Sequence, residues 1–209
     1  MGYTVKKIWY FDNPGEENTS DALNIAVERA IDLGIRYLVV ASTSGKTATI
    51  AAERVKRTGI SLIIVTHAVG FSSPGVWEFD ASVADALRAE GVKIVTGTHV
   101  LSGLERAFSS SPKVGGGSRS EAVSESLRRI IAVGLKFAIE CVLIAVGLKF
   151  AIECVLIAAD QGAVPVLEEV VAVGGTANGA DTVCVIRPSH TNRLFELQVR
   201  EIVAMPRER

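Results

Sequence analysis

The stretch Val39-Val40-Ala41-Ser42-Thr43-Ser44-Gly45-Lys46-Thr47-Ala48 passes from an apolar, β-branched run through a turn of small polar residues into a helical pattern. A strand that breaks into a helix in this way leaves the first helical amides without intrahelical acceptors. Their partial positive charge suits a phosphate dianion. The hydroxyls of Ser42, Thr43, Ser44 and Thr47 add donors, Gly45 lets the backbone come close, and Lys46 supplies charge. The segment ends like a Walker A loop, but that loop would need glycine where Val40 stands, so P-loop ATP hydrolysis is set aside. The competing reading is an ordinary helix capped by its serines and threonines.

Outward from this turn, short apolar runs alternate with longer amphipathic ones. Strands are expected at 7–11, 35–41, 60–66, 92–98, 169–173, 182–187 and 195–204. Helices are expected at 20–33, 47–57, 81–90 and across much of 121–160. The alternation predicts an α/β fold of three layers, α/β/α, with a mostly parallel sheet. After residue 169 the strands follow too closely for a crossover of a dozen residues, so antiparallel C-terminal strands are expected. One domain spanning 1–209 accommodates the whole pattern. Asn18, Thr19 or Ser20 would start the helix at 20–33, and Gly34 would stop it. The aromatic run Trp9-Tyr10-Phe11 reads as core, or as a surface on which a planar ligand stacks.

A net charge of −1 and a pI near 6.3 provide no basic field for nucleic acid. Three cysteines without a CxxC pair argue against a disulfide framework or a zinc site and are read as buried small residues. The first ten residues lack a signal-peptide pattern, so a cytoplasmic protein is expected. Lys136, Glu140, Lys149 and Glu153 interrupt the apolar stretch at 130–159, which argues against a membrane span.

Ile131 to Leu143 reads IAVGLKFAIECVL, and Ile144 to Leu156 repeats it letter for letter. Two copies of so short a fragment do not make a solenoid, which leaves a recent in-frame tandem duplication, or an error or design choice in how the sequence was made. Thirteen residues turn a helix by about 1300°, so the copies sit about 220° apart and cannot present one face to one sheet. A continuous helix over 121–160 would be ~60 Å long against a domain radius of gyration of ~17 Å. Its apolar excess would then be covered by another subunit, and a homo-oligomer is expected. No chemistry is assigned to the repeat, and Lys149 and Glu153 are read as an i,i+4 pair.

Further candidates lie after other strands. His67 and His99 each follow one, at the edge where open sheets place ligands, and are candidate ligand contacts or general acids and bases, with a hydrogen-bonding or structural role favoured over acid–base work for each. His190 falls in a loop, and the three histidines match no metal-binding spacing, so no metal is expected. The turn Gly174-Gly175-Thr176-Ala177-Asn178-Gly179-Ala180-Asp181 offers Thr176 as donor, Gly179 for close approach and Asp181 as acceptor. Glycines here also serve simply to turn the chain. Glu105 and Arg106 read as a polar cluster or a solvated helix start. The Ser/Gly-rich 109–120 segment reads as a slack connection or a lid.

The turn at Ser42, followed by Ile60-Ser61-Leu62-Ile63-Ile64-Val65-Thr66, resembles the C-terminal domain of pyruvate kinase, whose equivalent turn holds a phosphate of a sugar bisphosphate effector. The whole chain is similar to a family of stand-alone, mainly archaeal proteins like that domain, of uncharacterised function. The resemblance is carried by Val65-Thr66-His67, Gly97-Thr98-His99-Val100-Leu101-Ser102-Gly103, Val173-Gly174-Gly175-Thr176 with Gly179-Ala180-Asp181-Thr182, and Glu201-Ile202-Val203-Ala204-Met205-Pro206. It implies a flavin mononucleotide (FMN) site. The phosphate would lie on Ser42, Ser44, Gly45, Lys46 and Thr47, with Thr176, Gly179 and Asp181 next. The expected function is binding of a phosphorylated small molecule, FMN foremost. The alternative is a non-catalytic regulatory or storage module for a sugar phosphate or another phosphometabolite.

Overall fold

The structure is a computed structural model and describes residues 5–100, 146–176 and 178–207. The 109–120 segment, Glu105, Arg106, Cys141, the first copy of the repeat and most of the expected long helix lie outside the described residues.

Seven strands form one sheet: β1 (Trp9–Phe11), β2 (Tyr37–Ala41), β3 (Ser61–His67), β4 (Lys93–Gly97), β5 (Val170–Gly174), β6 (Thr182–Arg187) and β7 (Gln198–Pro206), in the order β1-β7-β6-β5-β2-β3-β4. β2, β3, β4 and β5 are mutually parallel, whereas β6 runs antiparallel to both β5 and β7. The helices are α1 (Thr19–Leu33), α2 (Lys46–Val55), α3 (Ala81–Ala89) and α4 (Val146–Asp160). The mainly parallel three-layer fold and the antiparallel C-terminal strands are therefore as expected.

Strand alternation makes the layers. Leu38, Val40, Leu62, Ile64, Val171, Val173, Val183 and Val185 face a core shared with α1, α2 and α3. Val39, Ile63, Val65, Val170, Ala172, Cys184 and Ile186 face the opposite core, built on α4. Both faces being covered explains why these strands read as unbroken apolar runs. α1 ends on Gly34, left-handed at φ 66°, as its position predicts. α3 starts on Asp80, whose carboxylate accepts from the amides of Ser82 at 2.8 Å and Val83 at 3.1 Å.

Trp9 and Tyr10 differ from the core reading, being 57% and 52% exposed. They sit on an edge strand bonded only to β7, and of the three aromatics only Phe11 packs on the core. Among the described residues no helix is long and apolar enough to cross a membrane.

The second copy of the repeat supplies most of α4, with eleven of its fifteen residues buried. Glycines let it settle tightly on the sheet. A Cβ at Gly147 would stand 2.6 Å from Thr182 Cβ, and one at Gly174 would stand 2.9 Å from the Ala151 amide nitrogen.

Candidate functional site

A parallel sheet brings the carboxyl ends of its strands to one edge, and β2, β3, β4 and β5 end there together. The crevice opens beside β2, where the chain order reverses between β3 on one side and β5 on the other. Here lies a cavity of about 430 Å3, within the ~300–1,000 Å3 range of small-molecule sites. β2 contributes the 42–47 turn, β3 His67, β4 Gly97 and then His99, and β5 Gly175 with Asn178 and Gly179. Glu16 and, from α4, Phe150, Glu153, Cys154 and Ile157 complete the wall.

The turn has the geometry its composition predicts. Gly45 is left-handed at φ 101°, and a Cβ there would stand 3.0 Å from Val83 and 3.2 Å from Phe79. Of the first-turn amides of α2, that of Ala48 donates to Ser42 Oγ at 3.3 Å and that of Thr49 to Gly45 O at 2.9 Å. The amides of Lys46 and Thr47 have no acceptor among the described residues. Thr66 Oγ1 donates to Thr43 O at 3.2 Å, which ties the turn to the end of β3.

The two histidines are held alike. Nδ1 of His67 lies 2.9 Å from Glu78 Oε2, and Nδ1 of His99 lies 2.9 Å from Glu153 Oε2. Their ring centroids are 5.0 Å apart. Phe71 lies 4.1 Å from the His67 ring, and Phe150 lies 5.5 Å from that of His99. Glu153 is almost wholly buried and also meets Lys149 Nζ at 3.1 Å. The residue that lets α4 bring this carboxylate so near is Gly97, because a Cβ there would overlap the Ile157 side chain one turn further on. Burial pushes the Cys154 thiol up to about 12 and that of Cys184 higher still.

Thus Ser42, Thr43, Ser44, Lys46, Thr47, His67, His99 and Gly179 line the cavity, and Gly45 shapes it from behind. Thr176 and Asp181 are not on its wall. The buried Asp181 carboxylate accepts from the amides of Thr176 at 3.0 Å and Gly15 at 3.2 Å and from Thr182 Oγ1 at 2.8 Å. It pins two loops rather than facing the crevice. Gly179, at φ 76°, admits the turn at Glu16, whose Cα would stand 2.6 Å from a Cβ there.

Glu16, Glu78, Phe71, Phe150 and Glu153 escaped the sequence reading. A signal existed for Glu153: a carboxylate within an otherwise apolar stretch needs a buried partner. Its i,i+4 lysine disguised that need. Lys149 does pair with it, yet the repeat, given no chemistry on sequence grounds, supplies three of the cavity's lining residues, Phe150, Glu153 and Cys154.

An open, mostly parallel sheet covered by helices on both faces, with a small-residue turn at its switch point, defines an α/β class of domain. Within that class the chain belongs to the pyruvate kinase alpha/beta domain family, which it matches over residues 21–186. The match includes the 42–47 turn, both histidines and α4, and leaves β1 and β7 outside.

Proposed function

We propose that the cavity binds a phosphorylated small molecule, FMN foremost, with the phosphate on the 42–47 turn. The observation that carries this reading is the start of α2. There, two amides without acceptors among the described residues adjoin Lys46, which forms no ion pair among those residues. Amides, hydroxyls, helix dipole and ammonium would then act on one dianion.

The residues fit FMN. The cavity's volume is adequate, and Phe71, Phe150 and the two imidazoles supply a surface for a planar ring system. Glu16 and Asn178 offer groups for hydroxyls. Bound flavin supplies one- and two-electron redox chemistry. The chain's own part is to anchor the phosphate, cover the ring and hold His67 and His99 by their carboxylates. The second reading, a module for a sugar phosphate, is favoured by Glu16, since a carboxylate on the wall suits a polyhydroxylated ligand.

Purified protein is expected to show flavin absorbance or to gain it on adding FMN, and riboflavin should bind much more weakly. Thr47→Ala with Lys46→Glu removes one hydroxyl donor and reverses one charge, and hydrogen bonds to charged groups contribute ~1.5–3 kcal/mol each. Titration calorimetry should show affinity lowered at least tenfold, with the melting temperature of the ligand-free protein little changed. Equal binding of FMN and riboflavin, or unchanged affinity in the double variant, refutes the phosphate assignment.

A further inference from the structure

Anchoring a phosphate does not account for the histidine side of the cavity. Two imidazoles stand there with ring centroids 5.0 Å apart, each with Nδ1 on a carboxylate. That contact makes Nδ1 the protonated nitrogen of the neutral ring and leaves Nε2 as its basic one. It is the base-and-orienter arrangement of acid–base sites. Glu153 is hard to explain by packing, because an apolar residue would fill the same place on a helix face pressed against the sheet at lower desolvation cost. The wall also carries Cys154, but its thiol, pushed up to about 12, is no thiolate nucleophile. Among the described residues, what this side of the cavity offers is proton transfer.

We propose that His67 and His99 are a proton-transfer pair acting on a phosphorylated α-hydroxycarbonyl compound held by the 42–47 turn, with Glu78 and Glu153 as positioning residues. The proposal rests on the phosphate-anchored reading above, in its sugar-phosphate form. Its length scale follows from the fold. Thr66 is bonded to Thr43 of the turn, and His67 is the next residue. One or two extended residues reach ~3–7 Å, the span between the phosphate and the carbonyl carbon of a short phosphate ester.

The roles divide by charge. Glu153 shares its charge with Lys149 at 3.1 Å, whereas Glu78 faces no cation other than His67 among the described residues. His99, neutral with Nε2 free, is therefore the base, and His67, entering the cycle as the imidazolium with both ring nitrogens protonated, the acid. His99 Nε2 takes the proton from the carbon beside the carbonyl, and that C–H electron pair becomes the new C=C bond. The carbonyl π pair moves to oxygen, which takes the proton of His67 Nε2. In the second half the neighbouring hydroxyl returns a proton to His67 as its oxygen becomes the new carbonyl. His99 then delivers its proton to the former carbonyl carbon. A hydrogen has moved between adjacent carbons, and both histidines are restored without oxidant, reductant or water.

The test uses the full chain in D2O with dihydroxyacetone phosphate and ribose 5-phosphate as probes. Proton NMR follows loss of the carbon-bound hydrogen, and calorimetry follows binding. Exchange above the protein-free rate is expected for at least one probe, lowered at least a hundredfold by His99→Gln or His67→Gln. Glu153→Gln should lower kcat at least tenfold while KM stays within threefold. Glu78→Gln, at a partly exposed carboxylate, carries the same expectation should Glu153→Gln fail to fold. Binding of the probes without exchange, binding of FMN but of neither probe, or exchange that survives His99→Gln overturns this proposal alone. Failure of FMN and both probes to bind overturns it together with the reading on which it rests.

Discussion

Replacing Gly147 by alanine sets two effects of opposite sign against each other. Within helices alanine is favoured over glycine, by up to ~1 kcal/mol at interior positions, so propensity alone would not destabilise α4. Against this, the new methyl would lie 2.6 Å from Thr182 Cβ and 3.0 Å from Asp181 Oδ1. Neither neighbour yields easily: Thr182 Oγ1 donates to Asp181 Oδ1 at 2.8 Å, and the other carboxylate oxygen holds the amides of Gly15 and Thr176. Overpacking of this kind costs ~1–3 kcal/mol, and disturbing a charge-assisted hydrogen bond adds to it. The net expectation is a loss of ~1–2 kcal/mol, or ~2–8 °C in melting temperature for a chain of this size. Thermal unfolding followed by circular dichroism measures it, with Gly134→Ala, the same substitution in the first copy of the repeat, as control. A melting temperature that stays the same or rises in Gly147→Ala refutes the close helix–sheet contact. A fall in Gly134→Ala alone shows that the other copy fills the place of α4.

Asp181→Ala should strip the acceptor from two part-buried amides and from the buried Thr182 hydroxyl, at up to ~1–3 kcal/mol each. Unfolding should come at least 5 °C earlier while FMN affinity changes less than threefold, and the reverse pattern would return Asp181 to the ligand. Asp160 is raised by partial burial but lowered more by the hydroxyl and amide of Thr191 and by His190, and its net shift is downward from 3.8. A carboxylate depressed by folding contributes stability that is complete above its unfolded value and lost as pH falls through the folded one. Asp160→Asn should therefore lower the melting temperature at pH 7, and the difference from the parent should shrink below about pH 4; a difference constant with pH refutes it.

Much of the fold is legible in the sequence because strands buried on both faces need unbroken apolar runs, and helices covering one face need period-3.6 stripes. Both patterns stand in the chain, and each expected strand or helix within the described residues appears within a few positions of its place. Trp9 and Tyr10 misled because apolarity does not report whether a strand has a neighbour on each side. In the site, residues at strand ends were legible, since a parallel sheet gathers them by construction: Ser42, His67 and His99 meet for that reason alone. Glu78 and Glu153 were not. Their contacts with the histidines depend on how a loop folds back and on how deeply a helix sinks at Gly97, neither of which has a sequence period. Asp181 shows a role that the sequence did not suggest: a polar residue beside glycines whose carboxylate ties two loops together.

The tight seating of α4 also bears on what the tandem copy does to the chain's uniqueness. Residues 146–160 read VGLKFAIECVLIAAD and residues 133–147 read VGLKFAIECVLIAVG, so a frame shift of thirteen positions changes only Ala159 and Asp160. One docking slot thus faces two nearly synonymous keys. Chain entropy hardly chooses between them: lengthening the nine-residue link from Asp160 to Val170 by thirteen residues costs roughly 0.8 kcal/mol, and shortening the link on the other side returns part of it. What discriminates is Asp160, whose carboxylate meets the Thr191 hydroxyl and amide and His190, a set of bonds that glycine in that place cannot make. Together with the buried Ala159, where the valine of the other frame would overpack, this side chain at the end of α4 carries the frame information that thirteen repeated letters have erased, and a lesion in one copy can be partly bypassed by its twin unless that punctuation is kept.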